Sequence, residues 1–186
     1  MATLFGTTDV AIGMKESTTR VRLFDGPLEL SWHHCATISD FIADLFALQV
    51  QSSRDDYREA RHSIGYLVNE LIENAVKFRA PGDIALEAAI DSECFKIKIS
   101  NVVDGETADE FQNLLSEITV GDPSELLIQR IEANAADPEM TSSSLGLLTL
   151  MSDYGARLAW IFSSVGESEM VFLETYASIP LSQLRS

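Results

Sequence analysis

Apolar positions change their period several times along the chain, and each change marks an element. Val21, Leu23 and Phe24 precede Asp25-Gly26-Pro27, and Leu28, Leu30 and Trp32 follow it, which predicts two short strands around a turn. Ile38, Phe41, Ile42, Leu45 and Phe46 recur at helical spacing and predict a helix from Ile38 to Gln49. Beyond the polar pair Ser52-Ser53 a longer helix is predicted from Asp55 to Phe78, stopped by Pro81-Gly82. Ile84, Leu86, Ala88 and Ile90 alternate, as do Phe95, Ile97 and Ile99 across Asp91-Ser92-Glu93, which is the pattern of a hairpin. Helical stretches follow from Thr107 to Glu117 and from Ser124 to Ala135. A polar loop from Ala136 to Ser144 leads into a helix starting near Leu145. Leu158 to Phe162 and Met170 to Tyr176, around Gly166, predict a closing hairpin.

Hairpins separated by helix pairs, without strict strand–helix alternation, point to an α+β fold. The expected architecture is a two-layer α/β sandwich, with a mixed, mostly antiparallel sheet and helices on one face. At 186 residues the chain fits one domain, 1–186, whose first eighteen residues are expected to be flexible.

Charge narrows the function classes. Thirteen Lys and Arg stand against 29 Asp and Glu, for a net charge of -16. A duplex-binding protein needs a basic footprint, so nucleic acid is an unexpected partner. An anionic membrane surface is unexpected for the same reason. No apolar run approaches the ~18–20 residues of a membrane span, and Met1 to Val10 lack the pattern of a secretory signal. Cys35 and Cys94 are too few for a disulfide framework. A reduced, cytoplasmic protein is expected.

The most informative segment is Asn69-Glu70-Leu71-Ile72-Glu73-Asn74-Ala75-Val76-Lys77-Phe78. On a helix at about 100° per residue, Ala60, Ile64, Leu67, Val68, Leu71, Ala75 and Phe78 share one stripe that faces the sheet. Ser63, Glu70, Asn74 and Lys77 cluster along its edge at i, i+3 and i+4 relations. A carboxylate, an amide oxygen and an ammonium supply a base, a hard metal ligand and a phosphate partner. Magnesium commonly takes one or two protein oxygens and completes its shell with water and phosphate. A solvated amphipathic face would show the same spacing.

This segment closely resembles the N-box of the GHKL (Bergerat-fold) ATPases, which include histidine kinases, anti-sigma-factor kinases, gyrase-type ATPases and heat-shock chaperones. The resemblance implies that Asn74 holds magnesium, that Glu70 is the catalytic base or water-positioning group, and that Lys77 reaches phosphate. A second segment, Ser142-Ser143-Ser144-Leu145-Gly146-Leu147, looks like the glycine turn that opens the helix after an ATP lid. There Ser144, Leu145 and Gly146 would face phosphate, because amides at a helix start are unpaired and lie at its positive end. An ordinary serine-capped helix is the competing reading. Residues 121–144 would form the lid.

After the strand Phe95–Ser100, the family's adenine-binding aspartate is matched by Asn101, and the following glycine arrives late, at Gly105. An asparagine can accept from the adenine amine and also donate, but the charge-assisted bond is lost, and such bonds are about twice as strong as neutral ones. Asp153-Tyr154-Gly155-Ala156-Arg157-Leu158-Ala159-Trp160 also looks like a segment of small bacterial regulators similar to SiaB-type and anti-sigma serine kinases. The resemblance implies a kinase that uses Mg-ATP, with ATP or ADP and Mg2+ as ligands. Its implied partner is a small STAS-like switch domain, and a homodimer is compatible. The alternative is a noncatalytic module that sequesters a regulator or binds another adenine-containing ligand such as a flavin. His62 falls opposite the core stripe and reads as exposed. His33-His34-Cys35, read as strand, would send adjacent histidines to opposite faces and form no metal site. Tyr154 and Trp160 read as core or rim.

Overall fold

A computed structural model describes residues 2–11, 19–24, 32–50, 53–136, 144–166 and 169–184. Among them are six strands: β1 (Ala2–Gly6), β2 (Thr19–Leu23), β3 (Ile84–Ile90), β4 (Cys94–Asp104), β5 (Arg157–Ser164) and β6 (Met170–Pro180). Five α-helices accompany them: α1 (Trp32–Val50), α2 (Arg54–Phe78), α3 (Gly105–Ile118), α4 (Pro123–Ala136) and α5 (Leu145–Ser152). The strands form one sheet in the order β1-β5-β6-β4-β3-β2. Every pairing is antiparallel, so the mixed sheet of the sequence reading is corrected to a purely antiparallel one among the described residues. The fold is α+β and compatible with a two-layer α/β sandwich.

Strand alternation decides which face is core. Phe95, Ile97, Ile99 and Val103 on β4 are buried, as are Leu158, Trp160 and Phe162 on β5. They join helix residues in one contiguous cluster. The opposite face carries Lys98, whose ammonium lies 2.7 Å from Glu87 and 3.7 Å from Glu174, with Arg20 3.3 Å from Glu87 beyond it. A short 3-10 turn, Thr8–Ala11, covers part of that face. Its Val10 packs with Ala159 and Tyr176, and burial, with Glu174 beside it, pushes the Tyr176 phenol up to about 12.

The helix predicted from Asp55 to Phe78 begins where expected, at Arg54. Ser53 accepts from the Asp56 amide at 3.0 Å and caps α2, and Asp55 and Asp56 sit favourably in its first turn. The predicted stripe from Ala60 to Ala75 is buried, and Ile72 joins it because α1 packs along a second side of the helix. On the rim of that helix pair, Asp44 accepts from the Tyr57 hydroxyl at 2.8 Å and from Arg61 at 2.6 Å.

Two predictions are corrected. Ala2–Gly6, expected to be flexible, pairs with β5 along its whole length. Trp32 to Cys35 lie in the first turn of α1 rather than in a strand, while Asp25 to Leu30, the rest of that predicted hairpin, fall outside the described residues. Within the 121–144 segment, the helix predicted from Ser124 to Ala135 is present as α4, and residues 137–143 fall outside the described residues. No helix among the described residues is long and apolar enough to cross a membrane.

Candidate functional site

A cavity of about 210 Å³ lies between α2, α3 and the core face of the sheet. Two helices line it with the same spacing. Leu71, Asn74, Ala75 and Phe78 come from α2, and Thr107, Glu110, Phe111 and Leu114 from α3, each set at i, i+3, i+4 and i+7. That spacing places four side chains on one helical face. The floor is Asn101 and Val103 of β4, Trp160 of β5, and Leu173 and Thr175 of β6, with Leu147 of α5 at the side. Phe111 meets Trp160 edge to face, with ring centroids 6.1 Å apart, which fixes α3 over the sheet.

The register explains why Asn101 points inward. It follows Phe95, Ile97 and Ile99 at every second position of β4, and it sits opposite the buried Leu173 of β6. Only 2% of Asn101 is exposed. Its amide nitrogen lies 3.5 Å from the Val102 carbonyl, at the limit of hydrogen-bonding distance. The structure therefore brings Asn74 and Asn101, 27 positions apart in sequence, to one mainly apolar cavity.

The remaining predicted residues lie elsewhere. Glu70 sits one turn before Asn74, and its Oε2 packs on Gly146 so closely that a Cβ there would lie 1.9 Å away. Burial raises the Glu70 pKa first, and the neighbouring Glu73 raises it further. Glu73 is itself held by the Asn69 amide at 2.8 Å. Ser144 is buried and stands at the N-cap of α5, where its side chain makes no capping hydrogen bond; its carbonyl accepts from Leu148 at 3.0 Å. Leu145 and Gly146 form the first turn of α5 and are partly buried. Lys77 is exposed, and its ammonium lies 4.8 Å from the Phe78 ring centroid, outside the cavity lining. Gly105 does not lie in an open turn: Asp104 accepts from the Thr107 amide at 2.7 Å and caps α3, whose first residue is Gly105. Ser63, grouped with Glu70 by the wheel, is buried and outside the lining.

Sequence reasoning missed the α3 wall and Thr175. The signal for α3 was present, since Thr107, Phe111 and Leu114 repeat at helical spacing, but nothing local says which surface that stripe covers. His62 is exposed as expected, with Nε2 3.2 Å from the Tyr154 hydroxyl, and Tyr154 stacks on Tyr66 at 5.0 Å. Trp160 is core, only 1% exposed. Among the described residues no group of three or more His, Cys, Asp or Glu is placed to hold a metal ion.

The arrangement can hold a flat, mainly apolar group and read it by neutral hydrogen bonds. Pockets that enclose whole drug-sized ligands run to about 300–1,000 Å³, so this smaller cavity suits a base-sized portion of a larger molecule. Fold and site together define an α+β protein with a base-sized cavity beside a helix start. No family model matches the chain, and no curated protein matches it.

Proposed function

We propose that this chain is a cytoplasmic GHKL-type signalling protein that transfers the γ-phosphoryl group of Mg-ATP to a serine or threonine hydroxyl of a small, STAS-like switch protein. The observation that carries this reading is the convergence on one cavity of two amides: Asn74, assigned to metal by the N-box resemblance, and Asn101, assigned to the base by its match to the family's adenine-binding position. The cavity volume suits a purine, leaving ribose and phosphates to extend toward α5. A single Asn74 oxygen also fits magnesium, which usually needs only one or two protein oxygens.

Magnesium, when bound, supplies neutralisation of the phosphate charge. The chain's residues do the rest. Asn101 orients the base through its amide. Backbone amides at a helix start, as at that of α5, suit phosphate oxygens. Glu70 accepts the proton of the attacking hydroxyl as its oxygen bonds to phosphorus and the bond to ADP breaks. A carboxyl whose pKa is raised by burial is a stronger base than an exposed one, which fits that role. Positioning and charge neutralisation dominate such transfers.

A specific observation favours a second reading, the noncatalytic module. Lys77 points away from the cavity, and Glu70 rests on the α5 turn where phosphate would approach. A flavin is less suited to this volume than a two-ring base, and the colour of the purified protein would reveal one. The test incubates the full chain with Mg-ATP and candidate hydroxyl-bearing switch proteins, and maps phosphate by mass spectrometry. Phosphoserine or phosphothreonine that falls about 10²–10⁴-fold with Glu70→Gln supports the kinase. A stable complex without label supports the module.

A further inference from the structure

The polar groups that reach the cavity are of an unusual kind for a site that must choose its ligand. They are two amides, Asn74 and Asn101, two hydroxyls, Thr107 and Thr175, and one carboxylate, Glu110, on an exposed position of α3. Among the described residues no lysine or arginine lines it. Each amide or hydroxyl can donate as well as accept. The deepest of the amides, Asn101, is held only weakly: its one hydrogen bond among the described residues is the long donation, 3.5 Å, from its amide nitrogen to the Val102 carbonyl. Turning its amide by half a rotation exchanges oxygen and nitrogen at the cost of that one long hydrogen bond.

We propose that Asn101 makes this cavity a general purine site, taking 6-oxopurine nucleotides as well as adenine nucleotides. The reading rests on the proposal that the cavity binds a nucleotide base. Adenine offers a donor at its 6-amino group beside an acceptor at N1, whereas hypoxanthine offers an acceptor at O6 beside a donor at N1–H. One amide orientation pairs with the first edge and the reversed orientation with the second, and the two differ only by the long contact to Val102. A carboxylate at this position has acceptors only, so it would face O6 with lone pair against lone pair. Rejection of a ligand comes from buried polar groups left unpaired, and an asparagine free to turn leaves none.

The experiment is calorimetric titration of the full chain with Mg-ADP and with Mg-IDP, whose bases differ only at this edge. The wild type is expected to bind the two within about tenfold of one another, a difference of about 1.4 kcal/mol or less. Asn101→Asp is expected to raise the preference for Mg-ADP over Mg-IDP by more than tenfold over the wild-type ratio. The wild-type ratio alone decides the matter should that variant fail to fold. Binding of Mg-ADP with Mg-IDP weaker by more than tenfold overturns the purine proposal and leaves the nucleotide site standing. Absence of binding by both overturns the two together.

Discussion

The two ends of the candidate site differ in how completely they are built. At the proposed base end, α2, α3 and the sheet enclose a cavity whose walls are fixed by core packing, and Asn74 and Asn101 both line it. At the proposed phosphate end, Lys77 lies over Phe78 and Glu70 lies on Gly146. Burial explains the difference. Side chains at the base end are positioned by the same contacts that hold the fold, whereas at the other end Lys77 is long and exposed and Glu70 is only partly buried. A ligand would find the first end formed and would have to organise the second.

Substitutions at the two ends should therefore separate stability from binding. The largest effect is expected from Trp160→Ala, which empties a side chain that is both cavity floor and core. It should cost about 3–5 kcal/mol in urea unfolding and weaken any nucleotide binding with it. If it leaves stability intact, the base end is not held by the core.

Two glycines sharpen the contrast. At Gly6, φ is +80° and a Cβ would lie 2.3 Å from the Leu158 carbonyl, so alanine meets rigid backbone where β1 joins β5. Gly6→Ala should cost about 1–3 kcal/mol by the same unfolding measurement. At Gly146 a Cβ meets only the end of the flexible Glu70 side chain. Gly146→Ala should change stability by under about 1 kcal/mol, yet it displaces the carboxylate and should alter phosphoryl transfer. Equal losses of stability at the two positions would show that α5 is as rigidly set as the sheet.

The smallest effect is on the pH dependence of folding. Because the folded-state pKa of Glu70 is raised above its ordinary 4.5, the native protein keeps that proton to higher pH than the unfolded chain. Stability is accordingly lost as pH rises from about 4.5 through the raised value. Glu70→Gln removes this loss, so its Tm should exceed that of the wild type at neutral pH and match it below about pH 4. A lower Tm at neutral pH would mean that the carboxylate is held by a favourable partner.

How far the sequence carried depended on what each element buries. The β3–β4 hairpin and α2 were legible because each buries one face against the core and so keeps a clean period: two for the strands, 3.6 for the helix. β1 was not, since four of its five residues are exposed on the sheet edge and show no alternation. The first turn of α1 was misread because Trp32 follows Leu28 and Leu30 at every second position, a strand-like spacing over a stretch too short to decide. Asn74 and Asn101 were legible because a motif names them. Thr175 and the α3 wall were not, because their place in the site depends on which surface α3 covers, a tertiary fact with no local period of its own. Gly105 was misplaced for a local reason: it was read as part of a turn, when the carboxylate of Asp104, three positions before Thr107, caps a helix that Gly105 opens.

The most direct test of the central claim is calorimetric titration of Mg-ADP into the wild type and Asn74→Ala, with unfolding curves for both. Asn74 is only partly buried, so the variant should fold with nearly unchanged stability, within about 1 kcal/mol. Saturable binding in the wild type that disappears in a folded Asn74→Ala is the predicted result. A folded wild type that gives no binding, or a variant that binds as well as the wild type, would contradict the account.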